Sequence, residues 1–325
     1  MRQFSHLFKW IRIPVSLCAI IWVIYQIRTH ESWLWLPEQG GAIIHYPAWV
    51  VLSIGLVVVN LMMEAQKWRA SLTHLGVSRT NGFALKSVLI GLGLGLWMPG
   101  RIGEFPGRLS QIPEPLWMKG GVLMSVGRVS QMLASLSCFG FMWIIISTYW
   151  DVFPFPAFLP PLMVVLAWGL LFLLKRKKPG SKLPFSGKMK WGKELYQAFL
   201  KIPTLLWGKL IGWSFGRYVV FSLQYILLLK AMGLTQSWLE LAGLISMIFG
   251  IRSFFPSLAF ADVGVRESVA VGVAQWMGIS IFPVLMATLV LFVINLVIPA
   301  LVGVGLFWQA EEERVKNRKV HTSVS

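Results

Sequence analysis

Long runs of apolar side chains constrain this chain more than any other feature of its sequence. A helix needs about 20 predominantly apolar residues to cross the hydrocarbon core of a bilayer. Charged residues make up only 13% of the chain, against about 25% in a typical soluble domain. The sequence therefore predicts an all-α integral membrane protein. The apolar runs are residues 11–27, 46–63, 83–98, 120–148, 159–174, 208–230, 239–255, 268–281 and 283–308.

The segments between these runs differ in charge, and this asymmetry predicts a topology. Residues 175–201 contain nine basic residues and one acidic residue, and residues 64–86 are also basic. Basic loops stay in the cytoplasm, whereas the weakly charged loops 28–45 and 149–158 are predicted to lie outside. Both termini are then cytoplasmic. The run 11–27 is expected to be a retained first span, because no small-residue cleavage site follows it.

Two of the runs are predicted to enter the membrane and return to the same side. The runs 83–98 and 120–148 lie between a cytoplasmic and an outside loop, where the number of crossings must be odd. The run 83–98 is short, rich in glycine and followed by Pro99 and Gly100, so we expect it to break there. The same count makes 239–281 a second re-entrant segment, entering from the opposite face.

The resulting architecture has about six full spans and two re-entrant broken-helix hairpins, which amount to eight transmembrane segments if the hairpins are counted as spans. Residues 46–148 and 208–308 would form an inverted repeat within one membrane domain, 1–310. A basic cytoplasmic loop, 175–207, would join the halves, and 311–325 would form a charged cytoplasmic tail. Such repeats place a binding site near the bilayer midplane. The alternative is that the charge bias misplaces one loop.

Each predicted hairpin carries a charged motif, from Pro99 to Arg108 and from Phe254 to Glu267. Arginine and acidic side chains are costly inside lipid, so they are normally paired or face water. A helix N-terminus beside an arginine favours phosphate or carboxylate. The alternative is that the charged pairs only hold the breaks together. The candidate headgroup-binding residues are Arg101, Glu104, Arg108, Asp262, Arg266 and Glu267.

Proline chemistry and spacing refine these motifs. Because Pro106 is tolerated only in a first turn, a helix is expected to begin near Gly103, with Arg101 in the break. Asp262 is expected to cap the N-terminus of the second helix. Other polar residues within the runs could line a cavity or form interhelical hydrogen bonds. They are Arg128, Gln131, Arg217, Gln224 and Asn295.

Several kinds of chemistry find no support in the sequence. Cys18 and Cys138 both lie in apolar runs and the histidines are scattered, so neither a disulfide nor a metal site is expected. No phosphate-binding glycine loop of the G-x-x-x-x-G-K-[ST] type is present, which argues against direct use of ATP. No cofactor is expected. The basic loop is expected to bind anionic lipid headgroups and not nucleic acid.

Three charged residues outside the two motifs lie close to the end of an apolar run. Glu64, Lys67 and Arg69 follow the second apolar run closely. The long stems of lysine and arginine can lie along apolar surface while their charges reach the headgroup layer. We therefore expect these residues to lie at the membrane interface.

The charged motifs resemble those of a known family. Glu64-Ala-Gln-Lys-Trp-Arg69, the glycine-rich stretch 91–95, Pro99-Gly-Arg-Ile-Gly-Glu104 with Arg108, and Gly264-Val-Arg-Glu267 are similar to the lysylphosphatidylglycerol synthase transmembrane region, a flippase-like domain. The resemblance covers about residues 10–310. It implies movement of an anionic or aminoacylated lipid between leaflets of a bacterial plasma (inner) membrane. The synthase activity belongs to a soluble domain and is not implied here.

The leading functional hypothesis is thus a lipid translocator that is not an enzyme and not driven by ATP itself. A secondary transporter of a small anionic solute is the first alternative, and it predicts an enclosed site without a lateral opening. A non-transporting accessory subunit of an envelope pathway and a membrane transferase are further alternatives. A homo-oligomer or an envelope-pathway partner is left open.

Overall fold

The computed structural model describes residues 45–96, 98, 101–149, 158–176, 190–254 and 261–323. The predicted first span 11–27, the Pro99-Gly100 pair and most of the basic loop lie outside the described residues. Side chains are not described at a few positions within the helices, including Asp262 and the tail from residue 313. Every regular element in the described part of the chain is helical.

The helices are numbered in chain order. They are α1 (Pro47–His74), α2 (Asn81–Leu96), α3 (Glu104–Leu109), α4 (Trp117–Tyr149), α5 (Leu159–Arg176), α6 (Lys190–Leu200), α7 (Thr204–Ala231), α8 (Trp238–Phe254), α9 (Ala261–Trp276), α10 (Ile281–Phe292) and α11 (Ile298–Ser323). A 3₁₀ turn, Glu114–Leu116, precedes α4, and a π-helical segment, Val293–Val297, joins α10 to α11.

Within the described residues, three helical stretches are long and apolar enough to cross a membrane, namely Pro47–His74, Glu114–Ser147 and Ile281–Glu312. Two shorter apolar helices, Asn81–Leu96 and Leu159–Leu174, accompany them. Helix α7 has 28 residues, but Arg217 and Gln224 interrupt its apolar sequence. The fold is therefore that of an all-α protein suited to a membrane.

Helix α1 shows the side-chain distribution that lipid imposes. Up to Met62 its exposed positions are apolar or glycine, with Val51 69% and Val58 56% exposed, whereas Ser53, Asn60 and Lys67 are at most 5% exposed. A helix in water shows the reverse arrangement, with its apolar face buried. The polar face of α1 packs on α7, and the apolar face is left to contact lipid.

Helices α1 and α7 run antiparallel along their whole length and form the centre of the molecule. Ser53 Oγ donates to the Gln224 carbonyl, and Asn60 Oδ1 accepts from Arg217 Nε at 2.8 Å. Asn60 and Arg217 are each the fourteenth residue of a 28-residue helix. Their contact therefore marks the midpoint of both helices.

Both predicted breaks lie between helices. Helix α2 ends at Leu96 and α3 begins at Glu104, with Gly103 as its N-cap, as the position of Pro106 indicated. Helix α8 ends at Phe254 and α9 begins at Ala261. Asp262 is consequently the second residue of α9 and does not occupy the N-cap position. The charged residues Arg266 and Glu267 belong to the helix and not to the break.

Candidate functional site

A cavity of about 350 Å³ lies beside the midpoint of α1 and α7. Residues of α1, α2, α3, α4, α7, α9, α10 and the π-helical segment line it, together with Arg101 from the first break. Six basic and two acidic side chains are among the lining residues, an excess of four positive charges. The charged ones are Glu64, Lys67, Arg101, Glu104, Arg108, Arg128, Arg217 and Arg266. We call this space the central cavity.

Glu64 is the first of two carboxylates that pair with these bases. Its Oε1 lies 2.9 Å from Arg108 Nη2, and its Oε2 pairs with Arg217 Nη1 and lies 3.7 Å from Lys67 Nζ. Lys67 Nζ also donates to the Gly127 carbonyl at 3.0 Å. Three cations from three helices thus converge on one side chain. Such compensation makes buried charge tolerable in an apolar surrounding.

Glu104 is the second carboxylate and lies nearer the mouth of the cavity. Its Oε1 is 2.6 Å from Arg101 Nη2, and its Oε2 is 3.5 Å from Arg128 Nη2 and 3.7 Å from Arg108 Nη2. Arg108 therefore lies between the two carboxylates and links them. Glu104 and Arg108 are four residues apart and so lie on one face of α3.

The backbone of the first break supports this cluster. Arg101 has φ 55°, a left-handed conformation that residues other than glycine adopt rarely. Its carbonyl accepts a hydrogen bond from Arg128 Nη2 at 3.0 Å. The tertiary contact thereby holds a backbone conformation that the local sequence disfavours. Strained positions of this kind are common at functional sites.

The π-helical segment brings a further polar group to the cavity. Asn295 Oδ1 accepts from Asn60 Nδ2 at 3.1 Å, and Asn295 Nδ2 donates to the Leu291 carbonyl. A π segment inside an α-helix frequently occurs at functional sites. The hydrogen bonds run on from Asn60 through Arg217 to Glu64, so one polar network ties the two halves of the chain together.

Depth separates the bases into two groups. The side chains of Lys67 and Arg108 are 6% and 7% exposed, whereas those of Arg101 and Arg128 are 38% and 41% exposed. The latter two form the mouth of the central cavity. Their nearest chain neighbours, Ile102 and Val129, are apolar and exposed as well.

The remaining candidate residues fall in different places. Arg266 lines the central cavity, and its guanidinium carbon lies 4.7 Å from the centre of the Phe292 ring. Glu267 is 4% exposed and is not among the lining residues. Its two carboxylate oxygens have no hydrogen-bond partner among the described residues. The structure does not describe the side chain of Asp262.

The polar residues proposed to line a cavity lie in two different places. Arg128, Gln131, Arg217 and Asn295 line the central cavity. Gln224 does not; it is fully buried, and its Nε2 donates to the Ser53 carbonyl at 2.9 Å. Gln224 therefore forms a hydrogen bond between α1 and α7. This is the second of the two roles that the sequence leaves open for it.

The positions of Lys67 and Glu64 differ most clearly from those that the sequence predicts. They are expected at the interface, but Lys67 is buried and both side chains belong to the charged cluster that lines the central cavity. Only Arg69 is exposed, with its Nη1 donating to Asn81 Oδ1 at 2.9 Å. A signal was present in the sequence, because Asn60, Glu64 and Lys67 recur at the spacing of one helix face.

Groups of histidine, cysteine, aspartate and glutamate that could hold a metal ion do not occur among the described residues. Compared with models of protein families, with curated proteins and with solved structures, the chain gives no match. The chemistry of the site thus rests on its own geometry. A cavity with excess positive charge, at the midpoint of apolar helices, is suited to an anion.

Proposed function

We propose that this protein is a lipid translocator that moves an anionic headgroup between the leaflets of a membrane. The observation that carries the proposal is the mouth of the central cavity. Its exposed bases, Arg101 and Arg128, lie beside exposed apolar side chains, Ile102, Val129 and Met132. A headgroup could enter there while its acyl chains remain in lipid. A small solute would need no apolar rim.

The charges of the cavity favour an anionic headgroup over an aminoacylated one. Six bases face two carboxylates, so a phosphate would find donors that are only partly neutralised. Arg101 and Arg128 share Glu104 with Arg108. An incoming phosphate would compete with this carboxylate for their guanidinium groups, which bind phosphate with two parallel hydrogen bonds. Transport would follow a lipid gradient or a coupled ion.

Contacts between helix ends support a topology of about six spans and two re-entrant hairpins. A Cβ added to Gly120, at the start of α4, would lie 2.7 Å from Leu109 and 3.9 Å from Leu75. The end of α1, the end of α3 and the start of α4 therefore meet. At the other end of α1, Trp49 packs edge-on against Trp238 at the start of α8, with ring centres 6.4 Å apart. The two hairpins thus open towards opposite ends of α1, as an inverted repeat requires.

The proposal includes the family resemblance and its cellular setting. The charged motif Pro99–Arg108 and the sequence Gly264-Val-Arg-Glu267 resemble the flippase-like domain described above. A bacterial plasma membrane with both termini in the cytoplasm agrees with the basic segments at 64–86 and 175–201. Anionic membrane lipids are the proposed partners.

Transbilayer movement in proteoliposomes tests the function. Fluorescent phosphatidylglycerol is placed in both leaflets, and a membrane-impermeant reductant bleaches the outer pool. Wild-type protein should make nearly all of the dye accessible, whereas Arg101→Ala and Arg266→Ala should leave about half protected. Arg266→Lys should retain partial activity if charge is enough, and little if paired hydrogen bonds are needed.

Arg69→Ala is the matched control, because Arg69 is an exposed arginine outside the cavity. It should transport like the wild type. Gel filtration in detergent verifies that each variant is folded. Wild-type liposomes that move no anionic lipid, but take up radiolabelled glycerol phosphate, would replace the proposal with a solute transporter.

A further inference from the structure

A second cavity, of about 250 Å³, adjoins the central cavity. Gln131, Arg217 and Phe221 line both spaces and so form their shared wall. The second cavity extends from this wall between α4, α7 and α8, where Ser135 and Arg252 also line it. We call it the distal cavity. The sequence motifs did not point to it, and Arg252 was not a candidate residue.

The charged side chains that line the distal cavity are both basic. Arg217 and Arg252 are its ionisable cations, and no carboxylate is among the described residues that line it. Its other walls are largely aromatic. Tyr218 and Phe221 both pack edge-on against Phe249, with ring centres 5.9 Å and 5.6 Å apart. Because apolar walls lower the local dielectric constant, they strengthen the attraction of these cations for an anion.

Arg217 is held in a position where it can serve both cavities. Its Nε donates to Asn60 Oδ1 and its Nη1 pairs with Glu64, both on the side of the central cavity. Within the described part of the chain, Arg217 Nη2 donates no hydrogen bond. The side chain is 23% exposed. A donor therefore remains for a ligand at the shared wall.

Gln131 offers an acceptor at the same wall. Its Nε2 donates to the Ser214 carbonyl at 3.3 Å, and its Oε1 is buried without a hydrogen-bond partner among the described residues. A buried acceptor without a donor is costly. A hydroxyl group of a glycerol phosphate, or a protonated phosphate oxygen, would satisfy it.

We propose that the distal cavity is a second binding site for a phosphate oxyanion, with Arg252 as its principal ligand and Arg217 shared with the central cavity. The inference rests on the proposed function, since it makes the two cavities successive positions of one headgroup along its path. The chemistry of phosphate recognition is common to a lipid headgroup and to free phosphate. The experiment must therefore separate these two sources.

Binding stoichiometry in detergent tests the second site without reference to transport. Equilibrium dialysis of the full chain is performed with radiolabelled glycerol phosphate and, separately, with radiolabelled inorganic phosphate. Wild-type protein should bind two equivalents of at least one probe. Arg252→Gln should bind one, and the remaining equivalent should be lost when Arg128→Gln is added. Two equivalents of the ester but one of inorganic phosphate would assign the distal cavity to headgroups, and the reverse to the free ion.

Lys209→Gln is the matched control, because Lys209 is an exposed base on α7 outside both cavities. It should bind two equivalents. Ser135→Leu fills the distal cavity without removing a charge, and it should also halve the stoichiometry. One equivalent in the wild type, or two in both Arg252→Gln and Ser135→Leu, would overturn the second site. Two equivalents in a wild-type protein that moves no lipid would overturn the proposed function alone.

Discussion

Glu64 has three ionic partners among the described side chains, as many as Glu104. It pairs with Lys67 on its own helix, with Arg108 on α3 and with Arg217 on α7. The two arginines lie 44 and 153 positions further along the chain. Helical spacing could identify Asn60, Glu64 and Lys67 as one polar face, but it could not identify what that face contacts.

The removal of the Glu64 charge should destabilise the protein. Glu64→Gln leaves Arg108 and Arg217 without their shared counter-ion, and breaking a buried ion pair on one side costs about 3–5 kcal/mol. We expect a clear fall in Tm, measured by static light scattering in detergent. Glu114→Gln removes an exposed carboxylate and should leave Tm unchanged. An unchanged Tm for Glu64→Gln would show that Glu104 alone compensates the bases.

Helix α2 owes its position to glycines on two of its faces. On one face a Cβ at Gly91 would lie 2.8 Å from Arg108 Cγ, and a Cβ at Gly95 would lie 2.6 Å from Glu104 Cγ. On another face, a Cβ at Gly93 would lie 2.7 Å from the Val304 backbone nitrogen. Small residues allow such close approach, which drives helix association in membranes. The glycine content indicated a break, but these glycines pack helices together.

The contact between α2 and α11 predicts the effect of one added methyl group. A Cβ at Gly303 would lie 1.8 Å from the Leu89 carbonyl oxygen, and backbone cannot move aside as a flexible side chain can. Gly303→Ala should therefore destabilise the protein by about 2 kcal/mol or more. Thermal unfolding in detergent measures the loss.

Gly305→Ala is the control for this substitution, two positions along the same helix. A Cβ at Gly305 would meet nothing within 4 Å, so its Tm should stay at the wild-type value or rise slightly, since alanine favours helix. Equal effects of the two substitutions would contradict the close packing of α2 and α11.

The whole molecule is arranged as two sets of helices about the antiparallel pair α1 and α7. Helix α4 packs on α8, and in the same way α11 packs on α2. Gly250 of α8 approaches Phe139 of α4, as Gly93 of α2 approaches the backbone beside Gly303 of α11. Each half thus closes over the broken helix of the other. This exchange brings Arg108 of the first motif and Arg266 of the second to the same cavity.

Cysteine labelling tests the proposed topology at this scale. In a chain with Cys18 and Cys138 replaced by serine, Ser78→Cys and Glu114→Cys flank the first hairpin at exposed positions. Both should react with an impermeant maleimide only from the cytoplasmic side. Ser237→Cys and Ser280→Cys flank the second hairpin and are also exposed. They should react only from the outside.

The labelling of each pair of cysteines shows whether the hairpin between them is re-entrant or crosses the membrane. If Ser78→Cys and Glu114→Cys react from opposite sides, then α2 and α3 form a full crossing and the re-entrant assignment is wrong. The pair Ser237→Cys and Ser280→Cys gives the same decision for α8 and α9. The inverted repeat requires that the two pairs be labelled from opposite sides of the membrane.

The sequence alone determined the helical class, the approximate bounds of the apolar helices and the two breaks. These properties depend on local chemistry, that is on hydropathy over about 20 residues and on proline and glycine. The sequence placed the end of one span at residue 63, where charge begins, yet α1 continues to His74. Within this extension, Arg108 and Arg217 compensate the charge of Glu64.

Only the tertiary structure decided which charged groups meet. Glu64 pairs with Arg217, and Arg266 lines the central cavity. Gln224 lies between α1 and α7 outside that cavity, and Arg252 lines the distal cavity. Ion pairs have no sequence periodicity when their partners lie on helices far apart in the chain. Their formation depends on the crossing of α1 and α7 and on the return of each broken helix, which are set by packing of the whole molecule.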